Sequence, residues 1–222
     1  MKSARKYASK IINERYINAR ISYRDLFPYG ELLMKISNGF ESITEVILSP
    51  INNQLTFTWC MLESMNKSRS HFKSIYGTDP KRKFVHISKD KFHSEMSYTK
   101  DLSIYSDIEF HMMRLKAVKE IQSTDMMFIY IDSRSSDNSK NTSTHTEIFD
   151  VLNRFQSFVK KNIVIHDRGL NYEIMDYSDK FNLSKGVQSA SIEFLQKNHQ
   201  WSLVTGNNTE FGFTILSKDG DK

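Results

Sequence analysis

The sequence predicts an α+β fold: a helix-rich body with short mixed strands, followed by a smaller unit built from helix and β-hairpin. Three observations predict it. Apolar residues recur at helical spacing in several stretches, most regularly at Ile148, Val151, Leu152, Phe155, Phe158 and Val159. Strand-length apolar runs, such as residues 126–131, stand between those stretches. With 222 residues the chain can bury a sizeable core without staples, and a hydrophobic share of 39% argues for folding rather than disorder.

Residues 3–19 suit a helix, with Tyr7, Ala8, Ile11, Ile12 and Ala19 as its apolar stripe. Phe27, Pro28, Tyr29 and Gly30 punctuate, and residues 30–38 form a short second helix. Residues 43–48 are a β-branched run closed by Pro50, readable as a strand or a short helix. Residues 54–75 read as helical, with Leu55, Trp59, Leu62 and Met65 on one face and Gly77 and Pro80 ending the element. Residues 83–87 read as a strand, after which Ser88 offers an N-cap for a short helix through Phe92 and Met96. Residues 103–121 place Ile104, Ile108, Met112, Leu115 and Val118 on one helical side, and residues 125–132 form a buried strand.

The apolar-free stretch 133–143 is the boundary between a body at 1–132 and a carboxyl-terminal unit at 144–222, or else a long exposed loop. Thr144 and Glu147 fit a capping box opening the next helix. Residues 163–165 are a short strand. Residues 177–182 make a short helix, 183–184 a turn, and 185–197 a helix with Val187, Ala190, Ser191 and Phe194 inward. Residues 200–216 read as a hairpin, with Trp201 and Leu203 on one arm and Phe211, Phe213 and Ile215 on the other. Gly206, Asn207 and Asn208 lie between the arms.

Composition and motifs exclude several function classes. The single cysteine, Cys60, rules out an internal disulfide or an all-cysteine zinc site. Eight glycines disfavour folds that need several of them in one phosphate-binding loop. No glycine-rich phosphate loop, Gly-x-Ser-x-Gly, His-Glu-x-x-His or Cys-x-x-Cys occurs. Cys60 beside Trp59 reads as a small buried hydrophobe rather than a nucleophile. His166 and Asp167 are adjacent at a strand end, where neighbouring side chains point apart; a loop histidine is the plainer reading. His86 and His93 straddle a strand–helix junction and imply no metal geometry, and His111 reads as a core-edge imidazole on helix 103–121. Asp125 and Asp132 bracket a strand and cannot share one ion. No catalytic residue, cofactor or metal is assigned, and an enzyme is the lesser expectation.

Charge carries the positive argument. The net charge is +5, and residues 1–24 hold seven basic side chains against one acid, while residues 66–91 hold eight against two. Such clusters draw polyanions through counterion release. The amino terminus lacks an apolar signal segment and no long apolar run follows, so a cytoplasmic location is expected.

The stretch DKFNLSKGVQSASIEFLQKNHQW with the hairpin behind it resembles the helix-turn-helix of bacterial winged-helix regulators. Residues 53–122, through KFVHISKDKF, loosely resemble the first winged domain of plasmid replication initiators. The resemblance implies that helix 185–197 enters the major groove of double-stranded DNA. Lys185, Gln188, Ser189 and Ser191 would then reach bases or phosphates, and Lys197, Asn207 and Asn208 the backbone. Lys6, Lys10, Lys81, Arg82 and Lys83 would grip phosphates from the basic clusters. The expectation is therefore a cytoplasmic, non-catalytic DNA-binding regulator of transcription or replication, with a homodimer as a mild prior. The alternative is a protein-interaction module: an effector, an adaptor or a ligand-sensing domain. A third reading is a hydrolase built on Cys60 or an Asp/His cluster.

Overall fold

The computed structural model describes residues 33, 35–49, 61, 62, 64, 65, 82–89, 108–131, 141–167, 185–204 and 213–219. Their centre is one seven-stranded sheet. In chain order the elements are β1 (Ser42–Ile47), β2 (Arg82–Ser88), β3 (Ile108–Arg114), β4 (Thr124–Ile131), α1 (Asn141–Phe155), β5 (Val159–Asp167), α2 (Lys185–Lys197), β6 (Trp201–Leu203) and β7 (Phe213–Lys218). A single 3-10 turn, Gln156–Phe158, joins α1 to β5. The spatial order is β3-β2-β1-β4-β5-β7-β6. Pairings from β3 to β5 are all parallel, and β7 runs antiparallel to both β5 and β6.

The sequence explains why β4 is central. All eight of its residues are buried, and its continuous apolar run is what a parallel strand covered on both faces requires. One face carries Val46, Ile87, Met127, Ile129, Ile163, Ile165 and Leu216 against α1 and α2. The helices contribute Ile148, Val151, Leu152 and Phe155 from α1 and Val187, Ala190 and Phe194 from α2. The other face carries Ile43, Ile47, Phe84, Met126, Phe128, Tyr130 and Val164, covered by Leu33, Met61, Leu62 and Met65. Each large side chain removed from water contributes about 1.5–3 kcal/mol, so both layers are needed to hold the sheet.

Asp125 fixes the amino-terminal edge. Its Oδ2 accepts from the backbone N–H groups of Glu41 at 2.9 Å and Ser42 at 3.0 Å, and the Ser42 hydroxyl at 3.3 Å. The Asp125 N–H donates back to Ser42 Oγ at 2.9 Å. This clamp sits at the register irregularity between Thr124 and Met126 and sets where β1 begins beside β4.

These observations correct the expected fold. The helix-rich body with a winged-helix-like end is a doubly wound sheet with helices packed on it. Residues 200–216 do pair, with Leu203 opposite Leu216. They form no free wing, because β7 lies inside the sheet, with Ile163 opposite Leu216 on its β5 side. Residues 108–114 are strand, not helix: Ile108 and Phe110 alternate with exposed Glu109 and His111 along an edge. The helix 141–155 starts three residues before the expected Thr144, which is buried at 6% exposure rather than capping. It ends at Phe155, and Val159 opens β5 instead. Residues 43–48 resolve to strand, and 185–197 to helix. Strands β5 to β7 share the sheet with β1 to β4 across the polar stretch 133–143. The helices expected at 3–19 and 177–182, the short helix around Phe92 and Met96, and the turn at 183–184 lie outside the described residues.

Candidate functional site

Strand order locates the site. From β1 the chain steps outward through β2 to β3, then returns to β4 on the other side of β1 and continues to β5. Connections on the two sides therefore leave in opposite directions, and a crevice opens outside the carboxyl ends of β1 and β4. Ile47 ends β1, opposite Ser88 of β2 and Tyr130 of β4. The ladder runs one residue further: Leu48 N–H donates to Tyr130 O, and Lys89 N–H to Ile47 O, each at 3.0 Å. Ser49 follows, 9% exposed, and Pro50 comes next in sequence.

Four polar side chains share one sheet face near this edge. His86 Nδ1 lies 2.6 Å from Glu45 Oε2, with both side chains fully buried on adjacent strands. The Phe110 ring lies 6.5 Å from the His86 ring. On the other side of the crevice the Tyr130 and His166 rings stack, 5.5 Å apart and 9° from parallel. Their register pairing on β4 and β5 forces this meeting. Buried polar groups are costly in an otherwise apolar layer unless they are satisfied, so polar residues across β2, β1, β4 and β5 are a feature to explain. Asp167 ends β5 and is also buried, but alternation turns it to the opposite face from His166.

The sequence pointed to His166 and Asp167, but as a loop; they are the last residues of β5. Glu45 was missed. Its signal was a lone carboxylate in the run Ile43-Thr44-Glu45-Val46-Ile47, where charge has no place unless it is partnered. His111 is no core-edge residue: it is exposed on β3 and sits 2.6 Å from Glu109 Oε1. That contact, more than the nearby Lys83 ammonium, holds the Glu109 carboxyl below its usual range. Asp125 belongs to the amino-terminal clamp, far along β4 from the crevice. Cys60, His93 and Asp132 lie outside the described residues. Among the described residues, no cluster of three or more His, Cys, Asp or Glu could hold a metal ion.

The residues expected to contact DNA are placed as follows. Lys185 opens α2, Gln188 is half-buried, and Ser189 is exposed with its hydroxyl donating to Gly186 O at 3.1 Å. Ser191 is fully buried, its hydroxyl donating to Val187 O at 2.9 Å. Lys197 lies 2.6 Å from Glu193 Oε1 and 4.8 Å from the Phe149 ring centre. The hydrogen bond from Lys197 is the main reason the Glu193 carboxyl titrates below its usual range. Arg82 is buried, with its guanidinium donating to Met65 O. Lys83 donates to Gln122 Oε1 at 2.7 Å. Lys6, Lys10, Lys81, Asn207 and Asn208 lie outside the described residues. The structure brings none of the described residues together around an outward-facing helix, since α2 is packed on α1 through Val187, Ala190 and Phe194.

No protein-family model matches the chain, and no curated protein matches it. Among solved structures it is similar to the complex of DhpI with SAH. The TM-score is 0.43 and the identity 12%, covering 100% of this chain and 97% of the other. It is also similar to a S-adenosylmethionine-dependent methyltransferase from Clostridium acetobutylicum, with TM-score 0.42 and 10% identity, covering 97% and 98%. A third is the tRNA methyltransferase TrmK of B. subtilis, with TM-score 0.42 and 9% identity, covering 87% of this chain and 66% of TrmK. This chain thus spans just under two thirds of TrmK. At these scores the likenesses assign no reaction or substrate. The expected non-catalytic DNA-binding regulator is nonetheless corrected. The reading helix and wing on which it rested are core elements of a doubly wound sheet.

Among the described residues of this edge, no glycine stands at the end of β1 or of β2. A nucleoside cofactor at such a crevice is held where a glycine turn lets the backbone approach closely and an acid at the next strand end meets the ribose. Here β1 runs into Leu48, Ser49 and Pro50, and β2 into Lys89, whose ammonium lies 2.5 Å from Glu147 Oε1.

Among the described residues, no helix is long and apolar enough to cross a membrane.

Proposed function

We propose that the protein is a small-molecule-binding enzyme of the doubly wound class, with its site on the carboxyl edge of β1 and β4 and methyl transfer as its reaction. One observation carries the reading: the order β3-β2-β1-β4-β5-β7-β6, which reverses at β1 and β4. A reversal at that point opens a crevice where ligands of open α/β sheets bind. DhpI, seen with SAH, and the Clostridium acetobutylicum methyltransferase supply the chemistry to try first. In this reading Tyr130 and His166 form a rigid wall at the β4 and β5 ends, and Ser49 and Ser88 supply hydroxyls at the β1 and β2 ends.

The test is photocrosslinking of methyl-labelled S-adenosylmethionine at millimolar concentration, followed by peptide mapping. Label is expected on peptides spanning 42–49, 82–89 or 124–131. Label confined to 108–114 or 213–218, or no label displaced by S-adenosylhomocysteine, refutes the placement.

A further inference from the structure

We infer that two copies of this chain join along β3, antiparallel and centred on Phe110, so that the sheet continues from one protomer into the other. Among the described residues the sheet ends at β3 on one side and at the three residues of β6 on the other. β3 is the long edge, seven residues without a proline to blunt it. Leu115 N–H donates to Ser88 O of β2, so by alternation the amides of Met113, His111 and Glu109 face β2 as well. Those of Ile108, Phe110 and Met112 face away from β2, on the side where no described strand lies.

The side chains choose the partner. In chain order β3 reads Ile108, Glu109, Phe110, His111, Met112: apolar, acid, apolar, base, apolar. Turned end over end about Phe110, that order complements itself, which is what a two-fold interface between identical chains demands. Phe110 of each copy meets Phe110 of the other as a hydrogen-bonded pair, and Ile108 meets Met112 in the same way. Glu109 of each copy then stands opposite His111 of the other in the closer, non-hydrogen-bonded position, with Cα atoms about 4.5 Å apart. Both side chains reach solvent at this face, Glu109 at 49% and His111 at 45% exposure. Within one chain they already lie 2.6 Å apart, so joining two copies closes a ring of alternating carboxylates and imidazoles. Lys83 Nζ, 3.6 Å from Glu109, adds positive charge beside each carboxylate. The adjacent register, centred on His111, would set His111 against His111 and Glu109 against Met113, with no acid opposite a base.

Sedimentation equilibrium of the full chain between about 5 and 500 μM tests this, with far-UV circular dichroism as the folding control. The native chain is expected to be dimeric at the upper end. Glu109→Lys sets a cation opposite His111, and His111→Glu sets carboxylate opposite carboxylate; each should weaken association about 10-fold or more. The swap Glu109→Lys/His111→Glu restores opposite charges across the two-fold axis and should return affinity to within about 3-fold of native. Should a charge variant not fold, Met112→Pro removes an outward N–H, leaves the bonds to β2 in place, and must by itself give a monomer. A native chain that stays monomeric throughout the range overturns the inference, as does a dimer whose affinity these substitutions leave unchanged. Single variants that weaken association without recovery in the swap overturn it too, because Glu109 and His111 would then not be the opposed pair.

Discussion

Leu216→Ala separates a sheet from a wing. In a free hairpin with Phe213 and Ile215 turned inward, alternation would put Leu216 on the solvent side, and its truncation would change stability by less than about 0.5 kcal/mol. In this fold Leu216 is fully buried, flanked by Ile163 of β5 and Leu203 of β6, beneath the α1–α2 layer. Both neighbouring strands hold their positions through other pairs, so the site collapses little when the side chain is cut back. The cost should fall near the middle of the Leu→Ala range, about 3–4 kcal/mol. For a chain of this size each kcal/mol lowers the melting temperature by about 2–4 °C, so a fall of roughly 6–16 °C follows. Urea denaturation followed by circular dichroism measures it, with an unchanged m-value showing that native compactness is retained. Val204→Ala, at a position 41% exposed just beyond β6, is the control and should lie within about 0.5 kcal/mol of the native chain. If Leu216→Ala matches that control, β7 is not an interior strand and the site placement fails with it.

Three further outcomes follow from the same coordinates. Asp125→Ala removes the acceptor for two backbone N–H groups and should cost about 2–4 kcal/mol by the same denaturation assay, since charged hydrogen bonds are worth more than neutral ones. The depressed Glu193 titration gives a stability contribution present above the ordinary carboxylate value of 4.5 and lost as pH falls through the lower folded value. Glu193→Gln should flatten the stability–pH curve in that acid window, and carboxyl NMR titration should place the native midpoint below 4.5. Lys89→Ala breaks an exposed pair with Glu147 and should change stability by no more than about 1 kcal/mol, a shift that shrinks further in high salt.

Local pattern was legible where one structure satisfied it. The α1 stripe from Ile148 to Phe155, the α2 stripe through Val187 and Phe194, and the unbroken run in β4 each admit a single period. Residues 104–118 did not: Ile108 and Met112 are four apart, which serves a helix face, but Ile108, Phe110 and Met112 also serve one side of a strand. Only the half-exposed edge position decides between them. The role of β7 was illegible for a different reason. Ile163 and Leu216 lie far apart in sequence, and nothing in either local run says they pair. The crevice depends wholly on that kind of non-local order, so the sequence offered its residues without their meeting point.

Glu45 and His86 provide the sharpest test of why polarity persists inside the sheet. Both are fully buried and 2.6 Å apart, on the apolar face that Ile43, Ile47 and Phe84 otherwise fill. Were the pair present only for stability, it would be a poor choice, because apolar replacements of similar size are often neutral or better. Removing one partner is different: Glu45→Leu should cost about 3–5 kcal/mol, since it breaks a close polar contact inside a dry layer. The double variant Glu45→Leu/His86→Leu should recover much of that loss, giving a coupling energy of about 1–3 kcal/mol in a denaturation cycle. A double variant that is as stable as the native chain but no longer takes up S-adenosylhomocysteine would tie the pair to the crevice two residues away along β1. A double variant no more stable than Glu45→Leu alone would show that the two side chains act independently, and that register rather than partnership placed them side by side.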